Sequence, residues 1–118
     1  MNLTYYGYPK CSTCRKAKKS LEVYEVPFEE VNIAENPPSE EELRKIIFAS
    51  ELDIKKFFNT SGKVYRELNL KDKLPTMSED EKIKLLSSNG MLIKRPIVHG
   101  DGKTTVGFKE EEFEKVWR

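Results

Sequence analysis

The sequence has one histidine, His99, and two cysteines, Cys11 and Cys14. One histidine excludes a multi-histidine metal site, and two thiols are too few for a disulfide-stapled scaffold or a four-thiolate zinc centre. A Cys–His–Asn triad survives only as arithmetic. An excess of one charge is also missing: 21 Lys and Arg face 20 Asp and Glu, a formal net charge of +1. A protein that grips nucleic acid by neutralising phosphates is usually more lopsided, so direct nucleic-acid binding is not expected. No apolar run approaches the ~20 residues that cross a bilayer, and the first residues lack the basic start and apolar stretch of a secretory signal. These absences predict a cytoplasmic protein with no membrane partner. In that compartment thiols stay reduced, and a cysteine pair is chemical rather than structural.

What is present suits one compact domain over residues 1–118. Hydrophobic residues make up 37% and aromatic residues 10%, enough for a real core, while charged residues at 35% imply a heavily solvated surface. Leu3 to Tyr6 is a β-prone run stopped by Gly7 and Pro9, which predicts a first strand. Ala17, Leu21 and Tyr24 recur at helical spacing and predict a helix over 12–25, ended by Pro27. Phe28 to Ile33 alternates apolar and acidic residues and reads as a second strand.

Past Asn36-Pro37-Pro38 the texture turns helical. Ser39 with Glu42, and Ser78 with Glu81, are capping-box pairs, each placed ahead of an apolar stripe. Shorter helical candidates lie at 53–58 and 64–70. Pro96 to His99 and Thr104 to Gly107 flank Gly100-Asp101-Gly102-Lys103, a hairpin pattern. Phe113, Val116 and Trp117 mark a last helix over 110–117. The order is β-α-β, a mostly helical block over about 36–90, then β-β-α, which is an α/β architecture.

Cys11-Ser12-Thr13-Cys14 falls where the first strand hands over to the first helix. A thiol there faces unpaired backbone N–H groups and the positive end of the helix dipole, and both favour the thiolate nucleophile. Lys10, Arg15 and Lys16 add charge nearby. Cys14 lies one turn deeper, within reach of a disulfide, so Cys11 is expected to attack and Cys14 to resolve. Two other readings compete. The pair could be half of a zinc site completed by His99 and carboxylates, although structural zinc prefers richer Cys and His sets, or two small buried residues. No metal and no bound organic cofactor is expected. His99, at a strand end, is expected to be structural rather than a base for Cys11. Tyr5, Tyr6 and Tyr8 are expected to form core and wall around the cysteine loop.

The segment Tyr8-Pro9-Lys10-Cys11-Ser12-Thr13-Cys14-Arg15-Lys16-Ala17 resembles the active-site segment of the arsenate reductase-like (ArsC/Spx) family. Glu35-Asn36-Pro37-Pro38-Ser39 and Leu92-Ile93-Lys94-Arg95-Pro96-Ile97-Val98 resemble two further family segments, in order and at family spacing. The resemblance implies a thioredoxin-like fold with a mostly helical insertion. It also implies one of three roles: a glutaredoxin-linked arsenate reductase with three oxyanion-binding arginines, a Spx-type redox switch that binds the RNA polymerase α-subunit, or a member of a third group without a settled substrate.

Arg95 matches the family arginine that precedes a cis proline, so Pro96 is expected in cis. At the other two arginine positions this chain has Asn59 and, near Gly107-Phe108, Lys109. Neither reproduces the planar fork that arginine offers an oxyanion. The expected activity is therefore thiol–disulfide exchange through a Cys11–Cys14 disulfide. Arg95 would support the thiolate or bind an anionic group of the substrate, and Ser12, Thr13 and Pro96 would contact substrate. The expected partners are a thiol or disulfide substrate and a glutathione, glutaredoxin or thioredoxin donor, with the Spx-type switch and a weak arsenate reductase as alternatives.

Overall fold

The computed structural model describes residues 3–118. Strands β1 (Leu3–Gly7), β2 (Phe28–Asn32), β3 (Ile97–Gly100) and β4 (Lys103–Val106) form one sheet in the order β2-β1-β3-β4. β1 and β2 run parallel, Leu3 opposite Phe28, because helix α1 (Ser12–Val23) carries the chain back across the sheet. β3 lies antiparallel to β1, with Tyr6 opposite Ile97, and turns directly into β4 through Asp101 and Gly102, both at positive φ.

Alternation along these strands sends residues to two separate cores. Leu3, Tyr5 and Val98 pack with Cys14, Ala17 and Leu21 of α1 and with Phe113 and Trp117 of the terminal helix, Glu110–Trp117. Tyr6 and Ile97 face the other way, onto helices α2 (Glu40–Ser50) and α5 (Glu79–Ser88) through Leu43, Ile46, Ile83 and Leu86. Every named element between β2 and β3 is helical. Both capping boxes form as the sequence predicts: the Ser39 and Ser78 hydroxyls each accept from the N3 backbone N–H, and each serine's own backbone N–H donates to the N3 glutamate carboxylate.

The local differences from expectation have plain causes. Helix α1 stops at Val23, two residues early. Glu25 turns to φ 59, and the Glu25 and Val26 N–H groups donate back to Glu22 and Leu21, so a left-handed cap closes the helix before Pro27 is reached. The 53–58 candidate is a 3-10 turn over Ile54–Phe57, capped by Asp53. The 64–70 candidate breaks into α3 (Lys63–Glu67) and α4 (Leu70–Lys73), because Asn69 adopts φ 54 between them. The terminal helix, α6, keeps the predicted bounds.

Candidate redox site

Cys11 is the N-cap of α1. Its Sγ accepts a hydrogen bond from the Cys14 backbone N–H at 3.3 Å, an otherwise orphaned donor of the first turn. Burial works against ionisation of Cys11. That N–H, the Cys14 thiol and the neighbouring Arg95 guanidinium outweigh it and hold the Cys11 pKa below the ordinary thiol range. Cys14 is 1% exposed. Burial first, and the neighbouring Cys11 second, push its thiol up to about 12. Both cysteines are free thiols, one half-buried and one buried. The Tyr5 hydroxyl donates to the Cys14 carbonyl at 2.7 Å and fixes this turn to β1.

Arg95 reaches the site from the segment before β3, and the Arg95–Pro96 bond is cis. Its guanidinium stacks 5.0 Å from the Tyr8 ring centroid. Its Nε and Nη1 groups are buried and have no hydrogen-bond acceptor. Asn59 N–H donates to the Leu92 carbonyl at 2.8 Å and Lys94 N–H to the Phe57 carbonyl at 2.7 Å, with Phe58 and Ile93 bridged between them. Two segments far apart in sequence are thereby stitched side by side. They form one wall of a cavity of about 560 Å3 that opens beside Cys11.

Of the expected site residues, Cys11, Thr13 and Arg95 line this cavity, and Cys14 lies buried behind Cys11. Asn59 and Lys109, the two departures from an arginine set, line it too. Ser12 is exposed and Pro96 buried, and neither is among the lining residues. Pro96 acts through its carbonyl, which accepts from Gly107 N–H at 2.8 Å and positions the β4–α6 loop. Arg15 turns away, donating to the Pro9 carbonyl at 2.9 Å. His99 is engaged with the Thr104 hydroxyl at 2.7 Å, and burial lowers its pKa. Tyr5 and Tyr6 are core, as expected, whereas Tyr8, partly buried, packs against that core and against the Arg95 guanidinium and is not among the residues lining the cavity. Lys56, Lys94 and Glu112 also line the cavity and were not singled out by sequence. Lys94 could have been signalled by its place in the family-like segment before Pro96, next to Arg95. Among the described residues no cluster of three or more His, Cys, Asp or Glu side chains could hold a metal ion, and no helix is long and apolar enough to cross a membrane.

A mixed sheet flanked by helices, with Cys-x-x-Cys at the N-terminus of the first helix, defines a thioredoxin-like protein with a cysteine pair placed for redox chemistry. The ArsC family matches residues 6–116, and the chain belongs to that family. It is 62% identical over 117 residues to the uncharacterized protein YusI of Bacillus subtilis, covering 99% of each chain. It is 36% identical over 114 residues to the global transcriptional regulator Spx of Enterococcus faecalis, covering 96% of this chain and 84% of that one. The crystal structure of an ArsC-family-related protein from Bacteroides fragilis superposes with a TM-score of 0.93 at 50% identity, covering 98% and 97% of the two chains.

Proposed function

We propose that this chain is a single-domain cytoplasmic thiol–disulfide oxidoreductase. The observation that carries the reading is the asymmetry of the pair: a half-exposed Cys11 whose sulfur is held by a helix N-terminus, above a buried Cys14 with a raised pKa. The Cys11 thiolate attacks one sulfur of a disulfide RSSR, forming Cys11–S–S–R and expelling RS⁻, which takes up a proton. Cys14 then loses its proton and attacks the Cys11 sulfur, releasing the second RS⁻. RSSR gains two electrons and becomes two thiols, and the protein dithiol becomes the Cys11–Cys14 disulfide. The second step is helped by the first: once Cys11 is in the mixed disulfide, its negative charge no longer raises the Cys14 pKa. A glutaredoxin or thioredoxin, or a small thiol such as glutathione where the disulfide reduced is not its own, would return the pair to the dithiol. Arg95 supports the attacking thiolate, and Thr13 contacts the bound substrate. Pro96 acts indirectly, its carbonyl holding the β4–α6 loop beside the cavity.

The test is a trap. Cys14→Ser should accumulate a mixed disulfide on Cys11 in cells, and the intact protein should reduce hydroxyethyl disulfide repeatedly when supplied with a thiol donor. The identity with Spx favours one other reading, a redox switch whose partner is the RNA polymerase α-subunit. Binding to that subunit dependent on the Cys11–Cys14 state, without turnover, would replace the oxidoreductase reading with the switch.

A further inference from the structure

The cavity beside Cys11 has a charge pattern that the exchange chemistry alone does not require. Lys56, Lys94, Arg95 and Lys109 line it, against a single carboxylate, Glu112. Among the described residues none of these four cations forms an ion pair. They come from three places in the chain: the 3-10 turn at Ile54–Phe57, the segment before β3, and the N-cap of α6. Like charges repel, so a fold that gathers four around one opening leaves a field that favours anions there.

The shape of the cavity narrows the choice of anion. A compact tetrahedral oxyanion is best held by planar arginine forks at fixed spacing. Here Arg95 is the only arginine, and the other cations are exposed lysines, point charges on flexible stems. The volume of about 560 Å3 falls within the range of small-molecule sites. Gly107 contributes to this shape. It sits at φ 79, a conformation costly for other residues, and a Cβ there would lie 3.4 Å from Lys94 Cε.

We propose that Lys56, Lys94 and Lys109 are specificity-determining residues that select disulfides of small, carboxylate-bearing thiols for attack by Cys11. This inference rests on the oxidoreductase reading. The lysines hold the carboxylates of the disulfide while Cys11 attacks the nearer sulfur. The half bonded to Cys11 stays held, and the other half leaves as a thiolate that takes a proton from water. The disulfide itself is the oxidant, and Cys14 completes the reduction as above.

The test compares the single-turnover oxidation of the reduced protein by three disulfides of different charge: anionic glutathione disulfide, neutral hydroxyethyl disulfide and cationic cystamine. In the triple variant Lys56→Gln, Lys94→Gln, Lys109→Gln, the glutathione-to-hydroxyethyl rate ratio should fall about tenfold, as expected from three partly screened charges. The cystamine-to-hydroxyethyl ratio should rise. Ratios cancel any general change in Cys11 reactivity. Unchanged ratios, with all three disulfides still reacting, would overturn the lysine assignment and leave the oxidoreductase reading standing. Failure of the unmodified protein to react with any of the three would overturn both. Protection of Cys11 from alkylation provides a second readout. S-methylglutathione should protect better than inorganic phosphate at equal concentration, and the reverse order would assign the cavity to a compact oxyanion and overturn the proposal.

Discussion

At Cys11 two influences compete: partial burial disfavours the thiolate, while the Cys14 N–H, the Cys14 thiol and Arg95 favour it and prevail. The alkylation rate of Cys14→Ser, which keeps only Cys11, should therefore reach half its maximum at a pH below the ordinary thiol value of about 8.5. Arg95→Gln should move that midpoint upward, because a cation that stabilised the charged form has gone, and alkylation at neutral pH should slow several-fold. The protein keeping only Cys14 should be nearly inert at neutral pH. Faster reaction of Cys14 than of Cys11 would reverse their assigned roles. Arsenate reduction should be weak, because Asn59 and Lys109 stand in the cavity with Arg95 where a three-arginine set would close on an oxyanion. Losing one preorganised donor costs roughly 3–4 kcal/mol in comparable sites, and such losses need not add. Asn59→Arg with Lys109→Arg should raise arsenate turnover with glutathione and glutaredoxin supplied. Robust turnover by the unmodified protein would mean that other groups hold the oxyanion.

At the scale of elements, close approaches fix where the cavity walls stand. Gly90 opens the 3-10 turn Gly90–Leu92, and a Cβ there would overlap the Ile33 carbonyl just after β2. A backbone oxygen cannot swing aside like the end of a side chain. Gly90→Ala should destabilise the fold by about 1–3 kcal/mol, the range for overpacking, and should also displace the adjoining Ile93–Arg95 wall. Denaturant unfolding and the Cys11 alkylation rate read the two effects separately. On the opposite face, Trp117 Nε1 donates to the buried Thr105 hydroxyl at 2.9 Å, tying α6 to β4. Trp117→Phe should cost about 1–3 kcal/mol by stranding a buried hydroxyl, with smaller effect on Cys11 than Gly90→Ala.

For the whole molecule, protons and salt report on the site from a distance. Cys14 has a folded pKa raised to about 12, so its neutral thiol is favoured by folding. That contribution is complete below the unfolded thiol pKa of about 8.5 and declines as pH rises towards the folded value, by up to about 1.4 kcal/mol per pH unit. Cys11 acts in the opposite sense, its lowered pKa adding stability at alkaline pH that is lost as pH falls through its folded value. The reduced protein should therefore lose less stability between pH 8.5 and 11 as Cys14→Ala than unmodified, measured by urea unfolding at each pH. The net charge of +1 gives the molecule little overall attraction for anions, so any preference must come from the local field of the cavity. Raising ionic strength from about 0.01 M to 0.15 M shortens the screening length from about 30 Å to about 8 Å. The reaction with glutathione disulfide should slow relative to that with hydroxyethyl disulfide over this interval. A ratio independent of salt would count against charge selection.

Signals that act over a few residues were legible in the sequence. Cys11 at a strand-to-helix boundary, Ser39 and Ser78 ahead of their glutamates, and Gly100-Asp101-Gly102-Lys103 between two β-prone runs each rest on hydrogen bonds or dihedral angles set by near neighbours. All three reappear in the structure. The breaks at Glu25 and Asn69 were not legible, because non-glycine residues enter the left-handed region only when surrounding contacts outweigh the local cost. Nor was the cavity. Lys56 and Lys94 are 38 positions apart in the numbering and meet only because Asn59 pairs with Leu92 and Lys94 with Phe57. Charge at one lysine says nothing about its partners until long-range pairing sets the distance between them. The sequence therefore determined the placement of the cysteine pair at a helix start and the order of elements, while tertiary structure alone decided which cations surround that pair and how much space lies between them.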